Sequence, residues 1–336
     1  MNKFSITESL NIPEWSDYQV RLNSLLFTCL SDAPKPIRQS LTRMLSPKAK
    51  RLRPAILIAV VMACGQEIDE KVLALAASIE LLHIASLIHD DIIDNSDSRW
   101  SVATINAREG VDYAILAGDY LFAKSIEMAS AISSDCGLVL ASAFREMTIG
   151  QIFEMADSYN TKRSVDSMFR AIDGKTSALM SATCRIGGLC AGLSKDKLSG
   201  LTEFGIDFGR SFQLVDDLLD LIGDAKLIGK LSGNDVKEGV YTLPILLSLK
   251  SESSSVSKYL NDRFDLALLP ELLDVITVDG SITETYRRIA KINTQASYIL
   301  KSDKNDNFHT LARVPSIYAE WALKNLALEK YQKLFN

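Results

Sequence analysis

The sequence predicts an all-α fold, a single large helical bundle formed by one domain over residues 1–336. Three observations carry this expectation. Apolar residues recur at helical spacing through long stretches. Runs of strict period two are missing, and no Asn-Gly or Asp-Gly sits between alternating runs as a hairpin turn would. Glycine and proline are sparse, at 17 and 8, so no flexible linker divides the chain.

Taken in order, IPEWSD (12–17) and SDAPKPI (31–37) read as loops. PAILIAVVMAC (54–64) is an apolar helix far short of a membrane span, which needs about 20 residues. KVLALAASIELLHIASLIHDDIID (71–94) is a long helix without glycine or proline. Further helices are expected over 114–132, 137–156, 175–193 and 204–224. Several are apolar on more than one face, which places them inside a bundle. The stretches 223–239, 251–257 and 301–307 read as loops or turns, and the last helices carry no motif.

Composition narrows the function. A net charge of −5, with both signs interspersed, leaves no basic footprint for nucleic acid. The N-terminal stretch lacks the apolar core of a secretory signal. Five cysteines without a CxxC pair fit reduced thiols in a cytoplasmic protein. Three histidines provide no sensible zinc ligand set.

Two aspartate clusters share one spacing. DDIID (90–94) and DDLLD (216–220) place carboxylates at i, i+1 and i+4, each in apolar surroundings. On a helix, Asp90 and Asp94 lie one turn apart on one face, as do Asp216 and Asp220. Unpaired carboxylates out of water cost several kcal/mol each, in order of magnitude. A hard divalent cation offsets that cost, and Mg²⁺ typically takes one or two carboxylates plus substrate phosphates. Two such pairs facing each other across a cavity would hold several Mg²⁺ ions around one diphosphate.

Cations suited to a diphosphate lie nearby in sequence. KAKRLRP (48–54) carries Lys50 and Arg53, three apart at a helix start with Pro54 in the first turn. Arg99 follows the first cluster. GKTSAL supplies Lys175 and Thr176, and Lys230 and Lys237 lie in a glycine-rich loop after the second cluster. His83 is two turns before Asp90 on the same face, whereas His89 reads as a packing residue. Ala85 and Ser86 are small, suiting either close helix packing or a channel for a long apolar tail.

In order, KRLRP, ELLHIASLIHDDIID, TINA, LAGDYLFA, GKTSAL and FQLVDDLLDLIGD, then GK, GND and YTLP, resemble the trans-type isoprenyl diphosphate synthases, the polyprenyl synthetase family. The resemblance spans about 48–250. It implies an isoprenoid-synthase-type bundle with a central active-site cavity, normally a homodimer. It implies Mg²⁺-dependent condensation of isopentenyl diphosphate with an allylic diphosphate, giving a medium to long polyprenyl diphosphate. Under it, Asp90, Asp94 and Asp216 are metal ligands supported by Asp91 and Asp220. Lys50, Arg53 and His83 hold isopentenyl diphosphate; Arg99, Lys175, Thr176, Gln213 and Lys230 hold the allylic diphosphate. The sequence departs from the family pattern at Lys48 and Ala49, where glycines are usual, at Trp100, where a second arginine is usual, and at Val240, where a lysine is usual. Three activities therefore stand open: elongation with an altered isopentenyl site, a terpene-synthase-like lyase, and a partner subunit of another synthase.

Overall fold

A computed structural model describes residues 6–45, 49–99, 102–228, 232–251, 255–260, 264–301 and 308–335. Nearly all of the secondary structure among them is helical. The chain divides into two compact units, one comprising mainly 3–144 and 182–199, the other 145–181 and 200–336.

The first unit holds α1 (Ile6–Ser9), α2 (Trp15–Thr28), α3 (Lys35–Met44), α4 (Leu52–Ala63) and α5 (Glu70–Ile93). A small antiparallel hairpin follows, β1 (Ser98–Arg99) with β2 (Val102–Ala103). Next come α6 (Ile105–Glu109), α7 (Val111–Ile132) and the start of α8 (Ser134–Ala156). α5 is the central element. Asp69 caps it by accepting from the Val72 N–H at 2.9 Å. Its Ala- and Leu-rich surface is buried nearly all round, packed chiefly on α7 and also on α4 and α2. α5 is long and apolar enough by composition to cross a bilayer, but most of it is buried in this unit, as in a core helix. Where α5 meets α7, the His89 ring lies over Gly118: a Cβ there would come within 2.2 Å of Nε2. The ring also packs edge-on to Phe122, at 5.2 Å between centroids. His89 is thus a packing residue, as its place in the sequence suggests.

The second unit holds the end of α8, then α9 (Val165–Ile172), a π-turn (Asp173–Ser177), α10 (Ala178–Cys190, whose later residues fall in the first unit) and α11 (Lys195–Ile222). After these come α12 (Ala225–Ile228), α13 (Asn234–Lys237), α14 (Leu243–Leu249), α15 (Leu269–Val278), α16 (Ser281–Lys301), α17 (His309–Leu326) and α18 (Glu329–Gln332). Leu214, Leu218 and Ile222 of α11 join Leu243, Ile245 and Leu246 of α14 in its core.

Some local expectations change. α2 begins inside the stretch read as a loop over 12–17, and the stretch 223–239 contains two short helices. The hairpin was not expected; two residues per strand are too few to show a period. Lys50 is not on the face of a helix start. Arg51 adopts a left-handed conformation, φ 52°, and α4 begins only at Leu52. That break turns the Arg51 side chain inward, where Nη1 meets Glu80 Oε1 at 2.9 Å with both side chains almost wholly buried.

Removing one member of a buried ion pair leaves the other charge uncompensated. Glu80→Ala is expected to lower unfolding free energy by about 3–5 kcal/mol, read from urea denaturation. An unchanged midpoint would show that Arg51 is satisfied without Glu80.

Candidate active site

The first aspartate cluster closes α5 and is not uniformly buried. Asp90 is half-buried and Asp94 exposed, so both reach the open face that the spacing predicts. Asp91 turns inward and is 1% exposed. Its Oδ1 accepts from Arg99 Nε at 2.8 Å, while Oδ2 is buried without a hydrogen-bond partner. Burial raises the Asp91 carboxyl above the usual aspartate range, against the opposing pull of Arg99. Arg99 is held on β1. The turn back into α6 is tied by Thr104 Oγ1 and Asn106 Nδ2, which donate to Ser96 O at 2.7 and 3.1 Å. In the free protein Arg99 is therefore paired with Asp91.

A cationic cluster stands beside it in the same unit. The His83 imidazole is pushed well below its ordinary pKa by burial first, then by the charges of Arg53, Arg99 and Arg51. It is neutral near pH 7. The Arg53 guanidinium is lowered by burial and partly restored by Glu80, and its Nε is buried with no acceptor. A buried charged donor without an acceptor is costly, and an anion would satisfy it. Lys50 is exposed just outside α4. Ser86 Oγ donates to His83 O at 2.7 Å, and Ala85 is fully buried.

In the second unit, α8 and the π-turn approach closely. A Cβ on Gly150 would lie 2.3 Å from Lys175 N, so glycine is required for the contact. Lys175 Nζ pairs with Glu154 Oε1 at 2.5 Å. Thr176 Oγ1 donates to Gln213 Oε1 at 2.7 Å, and Gln213 Nε2 donates to Asp217 Oδ1 at 2.8 Å. Asp217 is buried, and burial, with further help from the charges of Asp216, Glu154 and Asp220, raises its pKa to about 7 against the Gln213 hydrogen bond.

Asp216 and Asp220 do not share an open face. Asp216 is exposed, whereas Asp220 is 1% exposed. Asp220 Oδ2 accepts from Asp235 N at 3.1 Å and its carbonyl accepts from Gly233 N at 2.6 Å. The N–H groups at the start of α13 need acceptors, and Asp220 meets them. Glu154, which pairs with Lys175, and Asp217, which accepts from Gln213, are not among the residues that the sequence singles out. Asp217 was in view as the second aspartate of DDLLD; Glu154 is a single acid in an apolar helix, with no spacing to mark it. Lys230 and Trp100 lie outside the described residues.

Among the described residues no group of three or more His, Cys, Asp or Glu side chains is placed to hold a metal ion. Mg²⁺ does not demand such a cage: it keeps waters and completes its shell with phosphate oxygens. In the first unit the reachable Asp90 and Asp94 are oxygen donors of the kind it takes, and in the second unit, separately, so is the exposed Asp216.

Asp217 makes the stability of the metal-free protein pH-dependent. Its folded pKa of about 7 lies above the usual 3.8, so its contribution is fully present near pH 4 and lost as pH rises through 7. Asp217→Asn keeps an acceptor for Gln213 and removes that loss. In EDTA at pH 8 the variant is expected to melt at least roughly 3 °C higher than the parent, with a smaller gap at pH 5. Equal melting temperatures at both pH values would refute the protonation.

The polyprenyl synthetase family model matches residues 34–268. The chain is 33% identical over 295 residues to heptaprenyl diphosphate synthase component 2 of Geobacillus stearothermophilus, covering 87% of this chain and 88% of that one. It is 29% identical over 309 residues to nonaprenyl diphosphate synthase of Mycobacterium tuberculosis, covering 91% and 89%. Among solved structures, the polyprenyl synthase of Caulobacter crescentus complexed with calcium and isoprenyl diphosphate superposes with a TM-score of 0.85 at 25% identity, covering 93% and 97%. A decaprenyl diphosphate synthase from Rhodobacter capsulatus gives 0.82 at 26%, with the same coverage. With the family's motifs in order and its fold over nearly the whole length, this chain belongs to the polyprenyl synthetase family.

Proposed function

We propose that the chain is a trans-prenyltransferase that condenses isopentenyl diphosphate with an allylic diphosphate to give a polyprenyl diphosphate of medium to long chain. The observation that carries the isopentenyl half is the buried, unmet Nε of Arg53 beside a neutral His83. These groups suit the isopentenyl diphosphate, with Lys50 closing on it from solvent. Retention of this cationic cluster favours elongation over a lyase that ignores isopentenyl diphosphate, despite Trp100.

On the allylic side, Lys175, Thr176, Gln213, Arg99 and Lys230 hold the leaving diphosphate, while Asp90, Asp94 and Asp216 hold Mg²⁺. Bound Mg²⁺ supplies positive charge to the departing diphosphate. Around it the chain's own groups orient and neutralise. The allylic C–O bond breaks with its electron pair passing to the diphosphate, the isopentenyl double bond attacks the cationic carbon, and a proton is then lost. Donors aimed at the leaving anion stabilise charge where it develops. Lys175 must exchange Glu154 for phosphate oxygens, and Arg99 must do the same with Asp91. Asp91 and Asp220 act from behind, by orienting Arg99 and the start of α13.

We place the enzyme in the cytoplasm, in keeping with five free thiols, and as a homodimer. Exposed Ile115 and Leu116 on α7, the latter 59% exposed, offer apolar surface for a second copy. The relative from Geobacillus stearothermophilus is itself named a component, which supports a second reading in which the chain requires a different subunit.

Incubation with Mg²⁺, labelled isopentenyl diphosphate and C10, C15 or C20 allylic primers should give elongated diphosphates. Hydrocarbon or alcohol from primer alone would sink the elongation reading, and turnover only with a second chain would establish the two-component one. EDTA should abolish turnover, and Asp90→Ala or Asp216→Ala should each lower kcat by about 10²–10³-fold. Trp100→Arg should lower KM for isopentenyl diphosphate; an unchanged KM would show that residue 100 makes no contact with it.

A further inference from the structure

Val165–Cys190 runs as continuous helix except at Asp173–Ser177, where it widens into the π-turn. Such turns are rare and recur at functional sites. This one sends Lys175 toward α8 and Thr176 toward α11, the two groups assigned to the allylic diphosphate. An extra residue in a helix slides back to regular geometry unless its surroundings hold it.

Steric contacts supply part of the hold. A Cβ on Gly174 would come within 2.6 Å of Gly150 Cα and Glu146 O, and one on Gly209 within 2.5 Å of Ser177 Cα. Close packing of this kind limits approach but gives little direction. Direction comes from Arg210, which adjoins Gly209 on α11. Its Nε and Nη2 donate to the two carboxylate oxygens of Asp173 at 2.6 and 2.7 Å. Nη1 reaches Asp207 Oδ1 at 3.3 Å, and the guanidinium lies 5.8 Å from the Phe169 ring centroid. Asp173 is the first residue of the π-turn. Asp173–Arg210 and Thr176–Gln213 are thus two ties to α11, three residues apart on each element. Each partner of the ion pair is about one-third exposed, at 32% and 35%. A pair so exposed adds little to global stability, whereas its bidentate form fixes orientation.

We infer that Arg210 is a positioning residue: by holding Asp173 it fixes the π-turn that presents Lys175 and Thr176, and so sets affinity for the allylic diphosphate without touching it. This rests on the reading of Lys175 and Thr176 as diphosphate contacts.

The test compares Arg210→Met, Arg210→Lys, Asp173→Asn and the double variant Asp173→Asn/Arg210→Met with Lys175→Ala as reference, all in the full chain. KM for the allylic primer and for isopentenyl diphosphate are measured separately, with melting temperatures. If the isolated chain does not turn over, calorimetric binding of an allylic thiodiphosphate with Mg²⁺ gives the same comparison. Arg210→Met and Asp173→Asn should each weaken allylic binding about five- to tenfold and leave KM for isopentenyl diphosphate and the melting temperature nearly unchanged. The double variant should be no worse than either single change, and Arg210→Lys should recover part of the loss. Unchanged allylic binding in Arg210→Met, while Lys175→Ala weakens it, overturns the inference alone. Equal losses for both substrates with a lowered melting temperature assign the pair a merely structural role and also overturn it. Unchanged allylic binding in Lys175→Ala removes the underlying reading and the inference with it.

Discussion

A carboxylate taken out of water must be met by a donor or a cation, and both aspartate motifs are organised by that demand. Each sits on a helix whose neighbouring residues are apolar, so packing the helix draws part of the motif inward. The first motif places Asp91 inside, against Arg99, and leaves Asp90 and Asp94 reachable. The second places Asp217 and Asp220 inside, their carboxylates accepting from Gln213 Nε2 and from the backbone N–H of Asp235, and leaves Asp216 exposed. The buried members hold the surroundings in place, and the other members stand on the accessible side of their helices. A doubled aspartate therefore has two physical roles, and only one requires metal.

The three arginines of the first unit divide in a similar way. Arg51 is committed to Glu80, which fixes the start of α4. Arg53, two residues on, is then directed into a half-buried position where its Nε has no acceptor. Arg99 rests on Asp91. Burial first, and then their combined charge, depresses the proton affinity of His83. His83 thus enters any anion site as a neutral hydrogen-bonding group, and the fixed charge is left to the guanidiniums, which do not deprotonate near neutral pH.

The long helices and the placement of the motifs were legible in the sequence because both depend on periodicity, which local spacing reports. α5 spans almost the residues that its apolar pattern predicts. Family membership was also legible, because the motifs occur in order. Features that depend on a distant partner were not. The left-handed Arg51 goes with a buried pairing to Glu80, 29 residues away. Asp220 is covered because Asp235 needs an acceptor. The π-turn changes the phase of a helix by one residue, which periodicity over a short window does not register. Glu154 meets Lys175 because Gly150 and Gly174 let its helix come against the π-turn.

The replacement of the family's second arginine by Trp100 is easier to understand in this field of charge. An arginine at 100 would follow Arg99 directly in a unit where Arg51, Arg53 and Arg99 already act together on His83. Like charges in partly desolvated surroundings repel more strongly than in water, so each added guanidinium costs the free enzyme more than the one before. An indole removes that repulsion and retains one N–H donor. The indole is neutral in every state, so the substitution gives up attraction for an anion in exchange for less repulsion among the remaining guanidiniums. The cationic group beside His83 keeps Arg53, whose buried Nε lacks an acceptor in the free chain.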